Sequence, residues 1–211
     1  RVGRPWPRAN ALAETIVQLS NSDAADIDIV ALANAVVTDS SGNNLKVGML
    51  WAKQPVILVF LRHFACIACR AHATQVWNDR EKYERTGAKL IFIGNGNPSF
   101  IEQFRAEMKL DPAVVLTDPS LVTFKAAGFK RGFFRVVQPQ TVLNAAKLAL
   151  KGHRQAAYTQ EAGTHWQLGG VVAVSKAGKV LYHYISHSLG DFPPESDIEL
   201  ITDFTKPDTS G

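Results

Sequence analysis

The chain has 211 residues, 46 % apolar and 20 % charged, enough for one α/β domain with an extension and a sizeable core. Its net charge of +4 is spread along the sequence, which excludes a nucleic-acid footprint, and no apolar run approaches the ~20 residues that span a bilayer. With only 2 cysteines a disulfide framework is excluded as well.

Residues 1–10 read as irregular, with Pro5 and Pro7 close together. Asn10 is placed to cap a short helix whose apolar face carries Leu12, Ile16 and Leu19, before a polar break over 20–23. Residues 29–37 and 45–50 then read as extended segments joined by a turn at Asp39-Ser40-Ser41-Gly42. The run 55–61, short, apolar, β-rich and opened by Pro55, predicts a buried strand. Helix formers and mixed charge over 67–85 predict a helix that Gly87 stops.

Further strands are predicted over 89–94 and 114–117. A helix from Asn97-Pro98 to about Lys109 follows the first, and one from Asp118-Pro119 to Ala127 the second. A helix is predicted over 141–151. A hairpin then follows, 169–174 with 179–184 across Ser175-Lys176-Ala177-Gly178, and a closing helix over 193–204. Strands alternating with helices, then a hairpin and a helix, imply an α/β fold: a mixed central sheet with helices on both faces.

Cys66 and Cys69 fall at the junction of strand and helix. The unpaired N–H groups and the positive dipole end of a helix start stabilise a thiolate, and the second thiol lies one turn on, within reach to resolve a mixed disulfide. Cys66 is the candidate nucleophile and Cys69 the resolver, with Arg62, His63 and Arg70 as neighbouring positive charge. His63 is also a candidate proton donor. His72 reads as a packing or solvated residue. Two thiolates with His63 and His72 match no closed zinc site. An iron–sulfur cluster shared between two chains is a minor alternative, and neither metal nor organic cofactor is expected. Gly169 and Gly170 are expected to let backbone approach the cysteine pair, as a substrate-docking edge requires, or to form a bulge at the hairpin entrance. The aromatic and basic run 129–135 reads as a loop whose aromatics cover the core, with docking of a protein partner or a membrane surface as the alternative. Trp166, Tyr182 and Tyr184 read as core and sheet residues.

The segments Phe60-Leu-Arg-His-Phe-Ala-Cys-Ile-Ala-Cys-Arg70, Thr117-Asp118-Pro119, and Gln167-Leu-Gly-Gly170 with Gly190 and Asp191 resemble one family. It is the peroxiredoxin-like 2 branch of the alkyl hydroperoxide reductase/thiol-specific antioxidant group, and the resemblance runs from about Ile29 to Phe204. It implies a thioredoxin-like fold, with residues 1–28 as an N-terminal extension, 29–205 as the domain and 206–211 as a tail. One member class is similar to prostamide/prostaglandin F synthase, which reduces endoperoxides with thiols. The chain departs from peroxiredoxins proper, which carry Pro-x-x-x-Thr/Ser-x-x-Cys: His63 stands at the hydroxyl position and Val59 at the proline. Leu168-Gly169-Gly170 replaces a thioredoxin's cis-proline stretch, and Ala65 the aromatic residue before its first cysteine.

The function expected is that of a thiol–disulfide oxidoreductase acting on a peroxide-type or disulfide substrate, with thioredoxin or another thiol as reductant. The alternative is a non-catalytic thioredoxin-fold subunit of a larger complex. Arg1, Arg4 and Arg8 suggest a plastid or other organelle, with the cytoplasm as alternative.

Overall fold

The computed structural model describes residues 27–129, 160–164, 166–188 and 190–194, with Leu150, Asp197 and Ile201. The helix expected after Asn10, most of the one over 141–151 and most of the closing one over 193–204 lie outside the described residues, as do residues 130–135 of the aromatic and basic run.

Residues 29–34, expected to be extended, instead form helix α1 (Ile29–Asn34). Asp28 decides this locally: its carboxylate accepts from the Ala31 N–H at 2.9 Å, satisfying one of the donors that a helix start leaves open. Packing supports it, because Leu32 is fully buried in the core. Strand β1 (Val36–Thr38) follows, and Asp39 closes the turn by accepting from the Ser41 and Asn43 N–H groups.

The return strand β2 (Asn44–Lys46) is shorter than expected, because the chain turns into a 3-10 helix over Val47–Leu50. The Val47 N–H donates to the Ala35 carbonyl at 2.9 Å, and its side chain joins Leu32 in the core.

Strand β3 (Val56–Phe60) is buried at every position. The helix expected over 67–85 breaks in two, α2 (Ile67–Asn78) and α3 (Arg80–Glu84). The break falls at Asp79, whose N–H still donates to the Gln75 carbonyl at 3.1 Å while its carboxylate pairs with Lys82 at 2.6 Å. Arg80 then folds back over the Trp77 ring, 5.0 Å from its centroid. Next come β4 (Lys89–Gly94), α4 (Phe100–Glu107), β5 (Val114–Thr117) and α5 (Val122–Ala126). The Asp118 carboxylate accepts from both the N–H and the hydroxyl of Thr123 at 2.7 Å, fixing the start of α5. Strands β6 (Gly170–Val174) and β7 (Val180–Ile185) form the expected hairpin, with Gly178 at φ +81 in its turn.

The seven strands lie in the order β2-β1-β5-β4-β3-β6-β7. The central trio β5-β4-β3 is parallel, while β1 and β6 join it antiparallel on either side. Side chains of β3 alternate between two cores. Ile57 and Val59 pack with α2 and α4, and Val56, Leu58 and Phe60 with α1, α5 and Phe129. The mixed sheet with helices on both faces is the expected one. It ends β3 at the carboxyl edge of the parallel strands, where an open α/β sheet leaves a crevice.

Candidate functional site

Residues 61–66 carry the chain from β3 into α2, and hydrogen bonds along them fix their path. The Leu61 N–H donates to the Ile93 carbonyl at 2.8 Å, Phe64 to Ala162 at 3.3 Å, and Cys66 to His63 at 3.2 Å. The Asn95 side-chain amide donates to the Arg62 carbonyl. The oxygen of the same amide accepts from the Thr164 N–H at 2.9 Å, so one buried side chain joins this turn to residues 160–164. The Phe64 ring lies against Phe104 with centroids 5.1 Å apart.

Cys66 is the N-cap residue of α2, and Cys69 sits in the first turn. Both are free thiols, 2 % and 6 % exposed. The Cys66 thiol is lowered from 9.0 to about 6, chiefly because the Cys69 thiol donates a hydrogen bond to its sulfur. The Arg62 charge and the N–H groups of Cys69 and Ala68 act in the same sense, and burial opposes them. Cys69 moves the other way: its proton is held in the bond to Cys66, and burial and the Cys66 charge both disfavour a second thiolate. The pair thus favours the thiolate at Cys66 and the thiol at Cys69.

The other sequence candidates are placed differently. Arg62 is buried and acts electrostatically on both sulfurs. Arg70 turns toward α4 and forms an ion pair with Glu107 at 2.6 Å. His63 is buried and contributes its main chain, the carbonyl accepting from Cys66 and the N–H facing Cys69. The ring of His72 stacks on Phe192, with centroids 3.9 Å and planes 15° apart, and burial lowers its pKa to about 3, keeping the imidazole neutral. Among the described residues, no group of three or more His, Cys, Asp or Glu is arranged to hold a metal ion.

A hollow opens beside Cys69. Arg62, Ala68 and Cys69 line it, together with Phe60, Leu168 and Phe192. Gly169 and Gly170 form part of its wall. Their lack of a side chain is required by the sheet: a Cβ on Gly169 would strike the Phe60 carbonyl, and one on Gly170 the Tyr184 carbonyl and the Phe129 ring. Asp191, in the same wall, accepts from the Tyr184 hydroxyl and, at 2.6 Å, from the His187 N–H, which holds the loop carrying Phe192.

Asn95 was missed by sequence reasoning. The local sign was present in Gly94-Asn95-Gly96 at the end of a buried strand, with both glycines packed against the Phe64 ring. Tyr182 and Tyr184 lie in β7 as expected, whereas Trp166, expected in the core, is 36 % exposed.

A profile of the family described as AhpC/TSA antioxidant enzyme matches residues 75–188, a stretch that begins after the cysteine pair. The chain is 30 % identical over 168 residues to prostamide/prostaglandin F synthase of Danio rerio, covering 79 % of this chain and 83 % of that protein. It is 29 % identical over 182 residues to the thioredoxin-like protein AAED1, chloroplastic, of Arabidopsis thaliana, covering 80 % of this chain and 70 % of that one. In structure it is similar to a point mutant of peroxiredoxin Q from Xanthomonas campestris. The TM-score is 0.51 at 12 % identity, covering 72 % of this chain and 81 % of that one. That likeness shows the thioredoxin-like fold of the peroxiredoxins, as expected from the sequence.

Proposed function

The chain belongs to the AhpC/TSA antioxidant enzyme family, in its peroxiredoxin-like 2 branch, and from that premise we propose that it is a two-cysteine thiol reductase acting on a peroxide-type O–O bond of an organic substrate. The observation that carries the proposal is the opposed protonation of the pair, a thiolate favoured at Cys66 and a proton held on Cys69. The Cys66 thiolate attacks one oxygen and breaks the O–O bond, and the departing alkoxide takes a proton. Cys69 then attacks the Cys66 sulfur, releasing the second oxygen as an alcohol and leaving a Cys66–Cys69 disulfide. One O–O bond is reduced to two hydroxyls, two thiols are oxidised to one disulfide, and thioredoxin or another thiol donor restores the dithiol.

His63 in place of the peroxiredoxin hydroxyl favours an organic substrate over hydrogen peroxide. The Danio rerio relative is by name a prostamide/prostaglandin F synthase, which makes an endoperoxide the first compound to test. A protein disulfide is the second, reached by the same attack of Cys66. The Arabidopsis relative, named chloroplastic, supports a plastid location, which a fusion to a fluorescent reporter would test.

A structural role in a larger complex is favoured by one observation, the near-complete burial of both thiols. Alkylation of Cys66 against pH separates the two readings. The enzyme requires a thiolate that titrates near neutrality and a disulfide that thioredoxin reduces. Thiols that react only after unfolding would replace the reductase with the scaffold.

A further inference from the structure

The hollow beside Cys69 holds two buried polar side chains whose hydrogen-bonding capacity the protein leaves unused. Ser186 is 7 % exposed and His72 8 %, and both line it. Neither the Ser186 hydroxyl nor the His72 imidazole makes a hydrogen bond among the described residues, and neither is sealed in the interior. Buried polar groups are ordinarily paired, so two open ones around the same space require a use.

The fold brings them there from distant elements. Side chains along β7 alternate, with Tyr184 packed on the α2 side of the sheet and Ile185 on the other. The Ser186 N–H donates to the Gly169 carbonyl at 3.1 Å, so pairing runs past the end of β7 and Ser186 returns to the α2 side. His72 lies one turn along α2 from Cys69, and Phe192 holds its ring by stacking.

The charged groups of the same lining are already engaged. The Asp191 carboxylate accepts from the Tyr184 hydroxyl and the His187 N–H, and Arg62 acts on the sulfurs. Burial keeps the His72 imidazole neutral. A hydroxyl and a neutral imidazole suit an uncharged oxygen function, and they offer no counter-charge to a carboxylate or a phosphate.

Resting on the reductase reading above, we propose that Ser186 and His72 bind the two oxygens of the substrate's O–O group beside the cysteine pair. Each donates one hydrogen bond to an oxygen while the Cys66 thiolate attacks. Negative charge growing on the departing oxygen strengthens the bond it receives, which lowers the barrier rather than only holding the substrate. The sulfur–oxygen bond forms, the O–O bond breaks, and the alkoxide takes its proton from water. Ser186 and His72 end the step as they began it.

The test uses full-length reduced protein and cumene hydroperoxide. The rate of Cys66–Cys69 disulfide formation is measured for the native protein, Ser186→Ala and His72→Phe. The second variant keeps a ring against Phe192 and removes both nitrogens. Alkylation of Cys66 by iodomethane, which carries no oxygen, is followed alongside and reports the thiolate and its accessibility. We expect each variant to lose about fivefold in the peroxide rate, the share of one neutral hydrogen bond, with alkylation within about twofold of native. Peroxide rates equal to native, or losses that alkylation shares, overturn the inference and leave the reductase reading standing. A native protein that alkylates but forms no disulfide with the hydroperoxide overturns both.

Discussion

Asn95 and Arg62 are 33 residues apart in sequence, yet the side-chain amide of one is bonded to the main-chain carbonyl of the other. The bond ties the end of β4 to the turn that carries Cys66. The amide oxygen holds Thr164 at the same time, so a single side chain sets the position of two segments beside the thiols.

Replacing Asn95 with Ala leaves a buried carbonyl and an N–H without their partner. An Asn95→Ala protein is expected to lose about 2–4 kcal/mol of stability, the penalty of two unsatisfied groups. Urea denaturation gives the loss, and an unchanged midpoint would show that water replaces the amide. Because Arg62 rides on the same turn, Cys66 should also alkylate more slowly at pH 6 in this variant.

Arg62 and Arg70 make separable predictions. Removing a positive charge beside a thiolate raises its pKa, so Arg62→Gln should shift the alkylation midpoint of Cys66 upward. A rise of about one unit would cut the rate at pH 6 about fivefold. Arg70→Gln should shift the midpoint less, because that guanidinium is engaged by Glu107 on α4. The two alkylation profiles decide it, and a larger effect from Arg70 would assign the charge to the wrong arginine.

Stability should follow pH in three parts. The folded state lowers Cys66 from 9.0 to about 6, so between these values the unfolded chain binds the extra proton and stability rises with pH. Its contribution is complete above 9.0 and gone below about 6. Cys69, raised in the folded state, acts oppositely and removes stability as pH climbs past 9.0. His72, lowered from 6.5 to about 3, costs stability as pH falls through that range. Each group contributes a slope of at most about 1.4 kcal/mol per pH unit. Urea midpoints should therefore rise from pH 6 to 8.5 in the native protein and flatten in Cys66→Ser. Those below pH 6 should flatten in His72→Phe.

Gly169 and Gly170 are predicted to resist substitution for a reason of packing. A methyl group on either meets backbone, which cannot move aside as a flexible side chain would. Gly169→Ala and Gly170→Ala should each cost about 1–3 kcal/mol or more, as overpacking does. Gly178→Ala should act through its positive φ, since the nearest atom to an added Cβ there is the Trp51 indole nitrogen at 3.6 Å. Thermal unfolding of the three variants ranks them.

Local composition was enough where burial is continuous. The runs that became β3, β4 and β5 are apolar at nearly every position, as strands covered on both faces must be. The hairpin β6–β7 was legible through its turn residues. Residues 29–34 misled because Ile29 and Val30 favour strands, whereas the cap from Asp28 and the burial of Leu32 favour a helix. The break after α2 was hidden in the same way, since helix propensity continues past Asn78-Asp79, where the Asp79 carboxylate pairs with Lys82.

By itself the sequence determined that two cysteines a turn apart stand where a buried strand meets a helix, because strand, helix start and spacing are all local properties. It determined the α/β class for the same reason. Tertiary structure alone decided that Arg62 faces the sulfurs while Arg70 turns to Glu107, and that Asn95 holds the turn. It also decided that Cys69 rather than Cys66 borders the hollow. Those are relations between residues distant in the chain, and between the two sides of a helix, which no window of sequence contains. They arise when the sheet brings β3, β4 and β6 side by side and α2 must bury one face against them.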